Sequence, residues 1–148
     1  MTQEDKELLL VDLCARLPYG VNVKTTGDND SYTLLSINTN KNIALIGLNF
    51  GDVYATSKIK IDEVKPYLRP IEDMTEEEKE NLNLIVDEFG NKWMNSESPL
   101  DRWKAAFWEY SEATNYLNSI YIDYRGLIEQ GLAIEAPEGM YNNKEEQQ

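Results

Sequence analysis

Four short runs rich in β-branched and aromatic residues follow one another between Tyr19 and Ile59: YGVNVKTT, SYTLLSIN, NIALIGLNF and DVYATSKI. Their connections, Gly27-Asp28-Asn29-Asp30, Thr39-Asn40-Lys41-Asn42 and Gly51-Asp52, are short and carry hairpin turn chemistry, which predicts a four-stranded antiparallel meander. A meander is not stable as an open single layer, so it must curl into a barrel or lay one face on helices. The next segment, IKIDEVKPYLRP, offers Asp62 as a cap and Pro66 as a stop and predicts one short helical turn. Together these describe a meander curled toward a small SH3-like barrel.

Helical patterns lie on both sides of the meander. Thr2 followed by Asp5 is an N-cap signal, and Leu9, Leu10, Leu13, Cys14 and Leu17 recur at helical spacing, predicting an amphipathic helix over 3–17. Thr75-Glu76-Glu77-Glu78 is a capping box with three carboxylates at the positive end of the helix dipole. Leu82, Ile85, Val86, Phe89 and Trp93 then mark one apolar face. Ser98-Pro99 opens a further helix, in which Leu100, Trp103, Phe107, Tyr110, Thr114, Leu117 and Tyr121 alternate steps of three and four. This stripe reads as a seam against the helix near residues 75–93. It is long and aromatic for so small a domain, so a seam between two copies of the chain is the other reading. Trp103 belongs to the stripe and is expected in the core. Trp108 points to a different face, either as an exposed partner anchor or as part of a second buried face.

The expected class is therefore α+β: an N-terminal helix plus β-meander over 1–70, an acidic helical region over 71–141 packed on it, and a disordered tail over 142–148. A chain of 148 residues can bury roughly 70% of the surface its unfolded form exposes. The formal charge of −13 is unevenly spread: residues 1–70 carry 8 basic and 9 acidic groups, and residues 71–148 carry 6 and 18. Such a surface repels phosphates and anionic lipid, which argues against nucleic-acid and membrane partners. The first 18 residues lack a basic leader and are interrupted by Asp12 and Arg16, so they read as neither a signal peptide nor a membrane span. Cys14 is the single cysteine and is expected to be a buried apolar residue, which leaves no internal disulfide and points to the cytoplasm.

The chain has no histidine, which removes histidine general bases, Ser-His-Asp and Cys-His arrangements and histidine-ligated metals. Asp28-Asn29-Asp30 resembles the start of a calcium loop but lacks the required glycine and distal glutamate. No cofactor or metal is expected, and the leading reading is a non-enzymatic protein whose partner is another protein, possibly itself as a homodimer. Two alternatives stand beside it: an acidic imitation of DNA that inhibits a host or defence protein, and a carboxylate-based magnesium enzyme.

DYRGLIEQGLAIEAPEGMY, residues 123–141, looks most like a site. Locally, Asp123 can cap a two-turn helix, Gly131 can end it in a Schellman motif closed by Leu132, and Ala136-Pro137-Glu138-Gly139 fits a type I turn. Gly126, inside that helix, suggests close approach by another element, such as the aromatic ring of Tyr124 or Tyr141. Tyr124, Arg125 and Gly126 lack a full local explanation and join Trp108 as candidate interaction residues. The blocks LCARLPYGV, KPYLRP…MTEEE and DYRGLI..GLA.EAP.GMY resemble small uncharacterised proteins of gut Bacteroidales and their phages. The resemblance covers about a third of the chain, implies an intracellular accessory or mobile-element product, and brings no activity with it.

Overall fold

The computed structural model describes residues 1–50 and 53–141, so the tail expected over 142–148 lies outside the described residues. The architecture is α+β. Helix α1 (Gln3–Arg16) starts at the Thr2 capping box, in which the Thr2 hydroxyl accepts from the Asp5 amide and the Asp5 carboxylate accepts from the Thr2 amide, both at 3.0 Å. Pro18 ends it through a single 3-10 turn, and Gly20, at φ +69°, turns the chain into β1 (Asn22–Thr25). Strands β2 (Ser31–Asn38), β3 (Ile43–Phe50) and β4 (Val53–Lys60) follow, each antiparallel to its predecessor.

The barrel expected from the sequence does not form: a fifth strand extends the sheet beyond β1, and among the described residues no strand pairing joins its two ends. Residues 61–63 make the short helical turn, and β5 (Val64–Leu68) then runs antiparallel to β1, with Val23 opposite Pro66. The two-residue β6 (Ile134–Glu135) adds in parallel, giving an open mixed sheet in the order β4-β3-β2-β1-β5-β6. Pro66, expected as a stop, lies inside β5. It is tolerated inside a strand because Leu68 O accepts from Ala136 N at 2.7 Å on the β6 side, and the two-residue repeat sends the proline nitrogen to that same side. The β6 ladder begins only at Tyr67, one residue beyond it.

The core joins Leu9 and Leu13 of α1 to Val21, Val23, Leu34, Ala44, Ile46, Ile61, Val64 and Leu68 of the sheet region and to Leu127, Leu132 and Ala133 of the C-terminal segment. Each wholly buried leucine or valine contributes about 1.5–3 kcal/mol relative to exposure. The inward face of α1 is Leu9, Asp12, Leu13 and Arg16, rotated from the expected one, and Cys14 is exposed rather than buried. Two charged residues thus occupy core positions.

Helices α2 (Glu76–Met94) and α3 (Pro99–Ser119) form an antiparallel hairpin that contributes nothing to this core. The hairpin is an excursion from the end of β5. It leaves after Arg69 and returns at Ile122, where Arg69 N donates to Tyr121 O at 2.8 Å and Asp123 N donates to Arg69 O at 2.9 Å. Both feet of the hairpin therefore stand on one backbone position. Tyr121 makes the exit at φ +64°, a conformation that costs a bulky residue about 1–3 kcal/mol. Its ring stacks on Tyr141 at 3.7 Å, and its hydroxyl donates to Tyr19 O. Tyr141 in turn donates to Tyr67 O at 2.8 Å and accepts from Asn22 N at 3.0 Å, and burial pushes its pKa well up. No helix among the described residues is long and apolar enough to cross a membrane.

Candidate functional site

Tyr124, Arg125 and Gly126 come together directly after the hairpin, and each has a structural task there. Arg125 Nη1 donates to Asp12 Oδ1 at 2.9 Å, while Arg16 Nε donates to Asp12 Oδ2 at 2.9 Å. The buried Asp12 therefore bridges two arginines. Tyr124 lies against both, 4.7 Å from the Arg125 guanidinium and 5.4 Å from that of Arg16, and its hydroxyl donates to Asn118 Oδ1 at 3.0 Å. Burial raises the Tyr124 pKa, partly offset by the Arg125 charge. The cluster locks the hairpin exit onto α1.

Residues 123–131 form turns rather than the two-turn helix expected, although both ends carry the expected signals. The Asp123 carboxylate accepts from the Leu127 and Ile128 amides at 2.9 and 3.0 Å, and Leu132 N donates to Leu127 O across Gly131 at φ +73°. The later turn closes from Met140 N to Pro137 O, one residue beyond the expected position. Gly126 has φ +74°, and a Cβ added there meets no atom of the described residues within 4 Å. The glycine serves backbone conformation and not the close approach of another element, ring or otherwise. Gly126→Ala is accordingly expected to cost about 1 kcal/mol and Gly126→Asn less, read as shifts in urea midpoint.

Trp108 is half-buried on the α2 side of α3, with Lys92 Nζ 4.9 Å from its ring centroid. Ala105, the buried neighbour one turn earlier, and Tyr116, whose hydroxyl accepts from Asn81 Nδ2 at 3.2 Å, continue that contact arc. The stripe Leu100, Trp103, Phe107 and Tyr110 lies on another side of the helix. Trp103 is exposed rather than in the core, and the stripe is not the seam with α2: its four residues are 64–67% exposed. Only Thr114, Leu117 and Tyr121, near the body, are partly covered.

The exposed aromatics are organised. Trp103 and Phe107 pack tilted at 5.9 Å, as do Phe89 and Trp93 at 5.7 Å, and Arg102 lies 5.6 Å from the Trp93 ring. Trp93, Pro99, Arg102, Trp103 and Ala106 enclose an open, mainly apolar groove of about 430 Å³. A different groove of about 300 Å³, between α1 and the sheet, is lined by Lys6, Lys41 and Lys60, with Lys6 3.7 Å from Asp62. Among the described residues no group of three or more Asp, Glu or Cys is placed to hold a metal ion. The signal for the aromatic face was present in the sequence: α3 carries two apolar arcs, one through Ala105 and Trp108 and one through Trp103 and Phe107, and a helix with two such arcs needs two neighbours.

No family model matches the chain, and neither a curated protein nor a solved structure matches it.

Proposed function

We propose that this is a non-enzymatic binding protein of the cytoplasm that engages another protein chain through the aromatic face of the α2–α3 hairpin. The observation that carries the reading is the stripe Leu100, Trp103, Phe107 and Tyr110, in which every side chain is about two-thirds exposed in a row on one helix. Exposed apolar patches of this kind are costly to leave in water, and tryptophan and tyrosine are the residue types that anchor interfaces. The hairpin makes no contribution to the core, so its two helices are free to present a surface.

A photo-crosslinking amino acid at position 107, in cells that express the chain naturally, tests the reading. The expected result is a covalent adduct with a protein, formed equally at low and high salt because the contact is apolar. Phe107→Asp should abolish binding measured without the crosslinker while changing stability by no more than about 0.5 kcal/mol, as befits an exposed position. Binding that weakens steeply with salt would instead favour the acidic imitation of DNA. Absence of any adduct at 107, together with thermal stabilisation by magnesium, would overturn the reading in favour of carboxylate chemistry.

A further inference from the structure

We propose that the occupant of the aromatic face is a second copy of this chain, two hairpins meeting across a two-fold axis to make an antiparallel four-helix arrangement. The proposal rests on the reading of that face as the binding surface. It deepens that reading by naming the partner.

The spacing of the exposed stripe supplies the first argument. Leu100, Trp103, Phe107 and Tyr110 are separated by three, four and three residues, a pattern identical in both chain directions. A two-fold interface requires self-complementarity, so that when residue i meets residue j, j also meets i. Antiparallel packing about the height of the Trp103–Phe107 pair meets this condition for all four at once. Leu100 of each copy faces Tyr110 of the other, and Trp103 of each faces Phe107 of the other. The groove enclosed by Trp93, Pro99, Arg102, Trp103 and Ala106 then lies under the Phe107 ring of the opposite copy, a knob of suitable size for an apolar hollow.

Area supplies the second. At about 150–250 Å² per aromatic side chain, the exposed parts of Trp93, Trp103, Phe107 and Tyr110 with Leu100 amount to roughly 600 Å² per copy. Exposed Pro99, Arg102 and Ala106 beside them bring this near the ~800 Å² that each partner contributes to a standard interface. The residues preceding Leu100 and Phe107 are Pro99 and Ala106, small and uncharged, which lets two helices approach closely.

Charge supplies the third. Two chains of −13 repel one another unless they meet where charge is locally balanced. Residues 99–111 hold two acidic and two basic groups, Asp101, Glu109, Arg102 and Lys104, and are neutral within a C-terminal half that carries nearly all of the net charge.

Sedimentation equilibrium of the full chain from about 1 to about 300 µM tests the proposal. The expected result is a mass that doubles with concentration, and for Phe107→Asp a dissociation constant weakened at least about 100-fold with an unchanged far-UV spectrum. A photo-crosslinker at position 107, in an equal mixture of isotopically light and heavy chains, should join light to heavy within the peptide containing Trp103. A chain that stays monomeric throughout overturns self-association. If position 107 of such a monomer still crosslinks to a different protein in its native cells, the binding face survives with another occupant. If it crosslinks to nothing, the reading of the face fails as well.

Discussion

Replacing Asp12 with alanine should destabilise the fold by about 3–5 kcal/mol, because it strands a charge that has no access to water. Asp12 and Arg16 are both wholly buried, joined at 2.9 Å one helical turn apart. Arg16 Nη2 donates to Ile122 O at 2.8 Å, and its Nη1 has no hydrogen-bond acceptor among the described residues, so the guanidinium depends on the Asp12 carboxylate for charge compensation. Removing that carboxylate also frees Arg125, which is 18% exposed and can turn to solvent. At roughly 2–4 °C per kcal/mol for a domain of this size, the melting temperature should fall by about 10–15 °C. Arg125→Ala, which leaves the inner pair intact, should cost only about 1–2 kcal/mol. A Asp12→Ala urea midpoint matching that of the unaltered protein would show that water reaches Arg16 and would remove this account of how α1 is fixed to the hairpin exit.

This pair also shows where reading the chain by periodicity stops working. Hydrophobic spacing placed α1 within a residue at its end, but it turned the helix toward Leu10 and Cys14, because a charged pair on a buried face is invisible to a search for apolar residues. Helix starts were legible because their causes are local: Thr2, Thr75 and Ser98 each accept the amide three residues on, and nothing distant is needed for that. The first four strands were legible for the same reason. The fifth was not, since β5 holds Pro66 and exists only because β1, some forty residues earlier, offers an edge. Residues 123–131 carry the signals of a helix start and a helix end with too few residues between them to make the helix. Spacing alone placed Trp103 in the core and left Trp108 between an exposed anchor and a second buried face; the neighbour, α2 on the Trp108 side, overturned the first and decided the second for burial. Of the three residues left without a local explanation, Tyr124 and Arg125 find it at Asn118 and Asp12, across the hairpin exit or distant in sequence, and Gly126 finds it in a left-handed backbone conformation at φ +74°.

Arg69→Ala should loosen the whole hairpin, at a cost of about 2–4 kcal/mol, because one guanidinium holds both of its feet. Arg69 grips Glu78 with two bonds of 2.8 Å and also donates to Ile120 O at 3.0 Å and Asp73 O at 2.9 Å, joining the start of α2 to the end of α3. The hydrogen bond from Arg69 holds the Glu78 carboxyl below its ordinary value of 4.5, against the opposing effect of burial, and the Thr75 amide lowers it further. Since the folded value lies below the unfolded one, this contribution is fully present above pH 4.5 and disappears as the pH falls through the lowered value. Unfolding by urea at pH 7 should therefore separate the unaltered protein from Arg69→Ala clearly, and the gap should narrow in strong acid, where Glu78 is protonated in both. Lysine at position 69 should recover only part of the loss, because a single ammonium cannot make the two-pronged contact while reaching both carbonyls. Amide exchange locates the effect: positions within 76–119 should exchange faster in Arg69→Ala than in the parent, while those of β1, β2 and β5 keep their protection, because the hairpin shares no core residue with the sheet. Equal acceleration across both regions would mean that hairpin and sheet unfold as one unit, and Arg69 would then be a general stabiliser of the domain and not the clamp of a separately anchored arm.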